Sequence, residues 1–237
     1  MAKIFLRLPS TSSVDLRPDA DYVINQQSYG SCTANAGCAC MEIMYKQRND
    51  VSIEFSRLFL YFCERTLEGA PDDDVGAPAV LIGESLLTYG VCKEELWQYN
   101  KENMFDTPPQ AAFDQALSYR IAGYRLLDGA LLTAIKTSLN NGVPILLSLI
   151  VTTSFRTLTG PWKTHNWNTT ITRSNKVLGG HEVAIIGYDD AAKRLLIENS
   201  WGRGWGDGGF GGIRYSAIDS QLFGDLWVLQ PNFATVS

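Results

Sequence analysis

The stretch Glu198-Asn199-Ser200-Trp201-Gly202-Arg203-Gly204-Trp205-Gly206-Asp207-Gly208-Gly209-Phe210 lies between two short runs, Arg194 to Glu198 and Phe210 to Tyr215. Both runs read as strands, and the glycines between them read as turns. Gly204, Gly206 and Gly209 match the spacing of a dinucleotide-binding loop, but such a loop must open a helix, and here a strand follows. A nucleotide cofactor is therefore not expected.

Outward from this stretch the pattern stays sheet-like back to about residue 120. Val143 to Val151 and His181 to Tyr188 read as strands, with one helix before them over about Gly129 to Leu139. The first half differs. From Thr33 to Lys46, Ala36, Ala39, Cys40, Ile43 and Met44 recur at helical spacing and predict a helix with one buried stripe. Phe55 to Arg65 and Ala79 to Tyr89 also read as helices, and the Gly-, Pro- and Asp-rich run from Gly69 to Pro78 between them reads as an exposed loop. A helical first half and a sheet-rich second half predict an α+β protein with two lobes and a cleft between them, 1–120 and 121–237.

With 45% hydrophobic and 19% charged residues over 237 positions, the chain suits a folded globular protein rather than a disordered one. A net charge of -5 and the lack of a basic stripe argue against nucleic acid as a partner. The longest apolar stretch, Val143 to Val151, is interrupted by Pro144 and Ser148, so no membrane partner is expected. Ile4-Phe5-Leu6 before Arg7 is too short for a secretory signal. A cytoplasmic location, or export by a route needing no N-terminal signal peptide, is the expectation. Five cysteines are an odd number, and Cys32, Cys38 and Cys40 lack a zinc-knuckle spacing, so reduced thiols and no metal are expected.

Three segments carry chemistry. Gln26-Gln27-Ser28-Tyr29-Gly30-Ser31-Cys32 delivers a thiol to a helix start, where unpaired N–H groups and the helix dipole favour the thiolate. His181 follows Gly179 and Gly180 at the start of a strand, and Asn199 ends another. A thiolate needs an imidazolium partner, and the imidazole needs a third group to fix its ring. Asn199 can orient His181, Trp201 can shield that hydrogen bond, and the Cys32 N–H with a nearby glutamine amide can hold an oxyanion. Cys38, Cys40, Cys63 and Cys92 read as packing residues, and His165 as a surface residue. No G-x-S-x-G elbow occurs, which disfavours a serine hydrolase.

These segments resemble the papain-like (cathepsin-type) cysteine peptidases. Cys32 precedes His181 by 149 positions and Asn199 by 167, Val14-Asp15-Leu16-Arg17 looks like the start of the mature family domain, and Asn199 to Phe210 is the most specific match. The resemblance implies a helical left lobe carrying Cys32 and an antiparallel, barrel-like right lobe carrying His181 and Asn199. It implies hydrolysis of peptide bonds in a protein or peptide substrate through an acyl-enzyme, by a monomer without cofactor. Gln26, six residues before Cys32, takes the oxyanion role. Gly76, Gly180 and Trp201 take substrate-binding positions. An endopeptidase is expected, because the paired-histidine loop of one exopeptidase branch has no counterpart. Transfer of the acyl group to an amine, deamidation and an idle peptide-binding homologue are the alternatives.

Several residues depart from the family pattern. Thr33 stands where an aromatic residue is usual, Tyr29 replaces a disulfide cysteine and leaves Cys63 unpartnered, Gln27 replaces a common glycine, and Glu182 replaces a small residue. Only thirteen residues precede Val14, so activity without removal of a pro-segment is expected. The segment from Trp162 to Lys176 is a candidate cover for the cleft.

Overall fold

Helix α1, Cys32–Asn49, is buried on every face from Thr33 to Tyr45 in the computed structural model, which describes residues 11–233. The single stripe expected from the sequence is thus too narrow. The reason is position: α1 packs against helices on one side and the sheet on the other. Its small residues allow this. A Cβ on Gly37 would sit 2.7 Å from Ile82 Cγ2, so only glycine lets the neighbouring helix approach this closely.

The helical part continues with α2, Arg57–Glu68, and α3, Val80–Thr88. Ser56 caps α2 by accepting from Phe59 N at 3.1 Å, and Gly69 closes it in the left-handed conformation. Phe59, Phe62 and Tyr89 meet Phe113 edge-on, on the short helix α4, Gln110–Ala116. Arg57 and Glu42 form a buried bidentate pair, 2.7 and 2.8 Å, that ties α2 to α1. Glu42 also accepts from Phe55 N.

The sheet is antiparallel throughout. Its strands are β1 Ser13–Asp15, β2 Ile121–Leu126, β3 Ile145–Thr152, β4 Val177–Asp189, β5 Arg194–Glu198, β6 Phe210–Arg214 and β7 Phe223–Pro231. Their order is β2-β7-β3-β4-β5-β6, with β1 added on β4. Helix α5, Leu131–Asn140, and the single turn α6, Thr153–Arg156, flank β3. The α+β architecture expected from the sequence is present. Both ends of the described chain cross between its parts: β1 joins the sheet, while Phe233 packs edge-on against Tyr45 of α1.

β2, β7 and α4 do not stand out in the sequence. β2 alternates only weakly, with Gly123 and Arg125 inside it, and β7 carries Gly224, Asp225 and Gln230. The sequence reading at Ile4 to Leu6 lies outside the described residues. Among the described residues no helix is long and apolar enough to cross a membrane.

Candidate active site

Cys32 is the first residue of α1 and is half-buried. The turn that delivers it is fixed from three sides. Tyr99 Oη donates to Gln26 O at 3.0 Å and shares a 2.6 Å hydrogen bond with Ser31 Oγ. Asp74, in the Asp-rich loop, accepts from Gly30 N and from Tyr61 Oη, at 2.8 and 2.7 Å. Gln27 adopts φ +60°, a region that favours glycine, and its N–H donates to Asn25 Oδ1 at 2.9 Å. The glycine usual here in the family is thus replaced at a backbone position that strains a side chain-bearing residue.

The same turn is stitched to the loop after Asn199. Gln26 N donates to Ser200 O at 2.8 Å, Gly202 N to Ile24 O at 2.9 Å, and Ser200 Oγ to Gln26 Oε1 at 2.5 Å. Gln26 Nε2 donates one hydrogen to Tyr29 O at 2.7 Å. Gln26 is therefore held at both ends of its amide, with its second Nε2 hydrogen left to donate.

His181 lies within β4 rather than at its start. The strand begins at Val177 and runs through Gly179 and Gly180, because pairing with β3 extends to Thr152. The His181 Nε2–H donates to Asn199 Oδ1 at 2.7 Å, and Ser200 N donates to the same oxygen at 2.9 Å. This use of Nε2 leaves Nδ1 for a thiol. Trp201 stacks on the imidazole, ring centroids 4.7 Å apart and 26° between planes, and is braced edge-on by Phe155 and Trp205. The pair of tryptophans in the opening stretch thus forms a wall behind His181.

Burial opposes charge on either group alone. It pushes the Cys32 thiol up to about 11, against the N–H groups of Glu182 and Thr33, which pull it down. It pushes the His181 imidazole down to about 4, against the hydrogen bond to Asn199. The helix dipole expected to favour a thiolate is outweighed when the thiol is taken by itself. Proton transfer from Sγ to Nδ1 changes the balance, because it makes two opposite charges at once and no net charge. The titration then belongs to the pair.

Two cavities flank His181. One, about 570 Å³, is lined by Gln27, Leu158, Gly180 and Trp201. The other, about 590 Å³, is lined by Cys32, Gly76, Gly180 and Glu182. Gly76, Gly180 and Trp201 thus all face the cleft, and Gly76 takes φ +84° beside Gly30. No residue from 162 to 176 lines either cavity, so that segment does not cover the cleft. Its Trp162 and Trp167 are buried in the sheet-rich part instead. His165 is not a surface residue: it is 2% exposed, accepts from Gly212 N at Nδ1 and donates from Nε2 to Gly160 O.

Sequence reasoning missed Ser200, Asp74 and Tyr99 as supports. Their partners are distant in the chain, and no local pattern marks them. Behind Asn199, Asn35, Arg57 and Glu198 enclose a small internal cavity that buries polar atoms of all four residues. The residue after the thiol also has an unexpected partner: Thr33 Oγ1 donates to the buried Glu64 at 2.6 Å. All five cysteines are free.

Residues 10–221 match the model of the papain family cysteine proteases, and the chain belongs to that family. It is 34% identical over 224 residues to an uncharacterised peptidase C1-like protein of Acanthamoeba polyphaga mimivirus, spanning 90% of this chain and 71% of that one. Among solved structures it is similar to xylellain, a cysteine protease from Xylella fastidiosa, with TM-score 0.81, 29% identity and coverage of 100% and 90% of the two chains. It shares its fold with a digestive procathepsin L 3 of Tenebrio molitor larval midgut, TM-score 0.78 and 18% identity, over 97% and 73% of the chains. The papain-like fold implied by the sequence is therefore established.

Proposed function

We propose that the protein is a cysteine peptidase that hydrolyses peptide bonds within a chain. The observation that carries the reading is the His181–Asn199 hydrogen bond, with His181 and Cys32 lining one cleft. Cys32 Sγ attacks the scissile carbonyl as its proton passes to His181 Nδ1. The oxyanion is held by the Cys32 N–H and by the second Nε2 hydrogen of Gln26, which is fixed before substrate arrives. His181 then gives its proton to the leaving amine, and water, activated by the same imidazole, hydrolyses the thioester. Asn199 keeps the ring in the productive tautomer, and Trp201 keeps water from that hydrogen bond.

Cavities on both sides of His181 support an endopeptidase, since substrate has room to extend either way. Five free thiols support a reducing compartment such as the cytoplasm. The test is a panel of internally quenched peptides, with active-site titration by a thiol-directed inhibitor. Cleavage that tracks titratable Cys32 and vanishes in Cys32→Ala is expected. Cleavage that survives in Cys32→Ala, or full titration without cleavage of any peptide, would refute it.

A further inference from the structure

The cavity on the Gly76 side of Cys32 has a construction that the catalytic reading does not use. Its walls are aliphatic, built by Ala77, Pro78, Ala79, Leu149 and Ile150. Glu182, next to the catalytic histidine in sequence, lines it as well. The residue is 3% exposed. Ser148, its cross-strand neighbour on β3, donates to Oε2 at 2.7 Å, while Oε1 has no partner among the described residues. Glu68 stands at the exposed edge, and among the described residues no lysine or arginine lines the cavity.

We infer that this cavity is a specificity subsite for a long cationic side chain of the substrate, arginine or lysine, with Glu182 as the recognising carboxyl. The inference rests on the peptidase reading above and goes on to name the substrate class. The shape fits such a side chain: methylenes lie along the aliphatic wall, and the charged head reaches a fixed oxygen. A neutral aliphatic side chain would leave Oε1 buried without a partner, which costs free energy.

The charges around the carboxyl agree. Asp225 acts on Glu182 from the β7 side, and Glu64 lies near it behind Thr33. Burial, with Asp225 and against the hydrogen bond from Ser148, pushes Glu182 up to about 8, so it holds a proton near neutral pH when the cavity is empty. An incoming guanidinium supplies the missing counter-charge, and that proton passes to solvent.

Peptides differing only by arginine, lysine or norleucine at each position flanking the scissile bond test this. At one position kcat/KM should favour arginine or lysine over norleucine by about ten- to hundredfold, the range for a hydrogen bond to a charged group. In Glu182→Gln that ratio should collapse to within about threefold. The same peptides bound to Cys32→Ala give a measurement independent of turnover, with arginine tighter by a similar factor. Titrations in two buffers of different ionisation enthalpy should show net proton release on binding at pH 7. Cleavage without a basic preference would overturn the subsite while leaving the peptidase reading intact. Equal binding of arginine and norleucine peptides to Cys32→Ala would overturn it whatever the turnover. Preferential arginine binding without cleavage of any peptide would support the subsite and refute the peptidase reading.

Discussion

Replacing His181 with alanine should silence the Cys32 thiol toward alkylation. Burial, set against the N–H groups of Glu182 and Thr33, leaves that thiol at about 11, or roughly one thiolate in ten thousand at pH 7. The imidazole offsets this by accepting the proton and remaining beside the anion. Two unit charges about 4 Å apart at an effective dielectric of about 20 attract by roughly 4 kcal/mol, about three pK units. The N-terminus of α1 acts in the same direction. Alanine also admits water to the space the ring leaves. If that restored an ordinary thiol pKa near 8.5, about 3% would be thiolate at pH 7. Three units below about 11 leaves roughly one wild-type thiol in ten ionised at pH 7, so the loss expected from this attraction lies between about threefold and a thousandfold. The assay is iodoacetamide labelling at pH 7, followed by mass spectrometry of the Cys32 peptide. Cys38, Cys40, Cys63 and Cys92 are buried and serve as internal unreactive controls. A rate equal to that of wild type would refute the reasoning, because the thiol would then owe nothing to His181.

Three further outcomes follow from the same geometry. Gln26→Ala should lower kcat by about a hundredfold or more with little change in KM, as expected for a donor used only in the transition state; steady-state kinetics on one quenched peptide checks it. Asn199→Ala removes the acceptor of His181 Nε2 and should cost about tenfold in kcat/KM, the worth of one neutral hydrogen bond. Stability should fall as pH rises from 6.5 to 8. Burial pushes Glu64, Glu182 and Glu198 up to about 8, while their unfolded counterparts are already ionised. Each folded carboxyl that still holds its proton then costs about 1.4 kcal/mol per pH unit. Raised pKa values make this contribution favourable at low pH and lost as pH climbs toward 8. His181, pushed down to about 4, works in the opposite sense only below its unfolded value of about 6.5. Thermal unfolding of Cys32→Ala, which removes self-digestion, should show the lower midpoint at pH 8, and Glu64→Gln should flatten the slope. A rising midpoint would contradict this.

Much of the site is legible in the sequence because its chemistry requires unusual local patterns. Cys32 needs a tight turn before a helix, and the run from Asn199 to Phe210 needs glycines to turn and tryptophans to wall off an imidazole. Those constraints write themselves into adjacent residues. Arg194 to Glu198 reads as a strand with correct bounds for a similar reason, since it is buried along almost its whole length. β2 and β7 are different. They pair with each other, β2 has no strand on its far side among the described residues, and their polar residues break the alternation. Roles that arise only from assembly are also invisible. Ser200 holds Gln26 from 174 positions away, and Asp74 supports Gly30 from a loop that reads as solvent-exposed. His165 misleads because its threonine, asparagine and tryptophan neighbours look like a surface loop. Its ring is buried as a bridge between Gly160 and Gly212.

The most direct measurement of the central claim is peptide cleavage in water enriched in oxygen-18, comparing the protein with Cys32→Ala. A thioester formed on Cys32 and opened by water predicts new carboxyl termini carrying the heavy isotope, with none formed by the alanine variant. Equal cleavage by both proteins, or new termini joined to an amine in place of water, would contradict it.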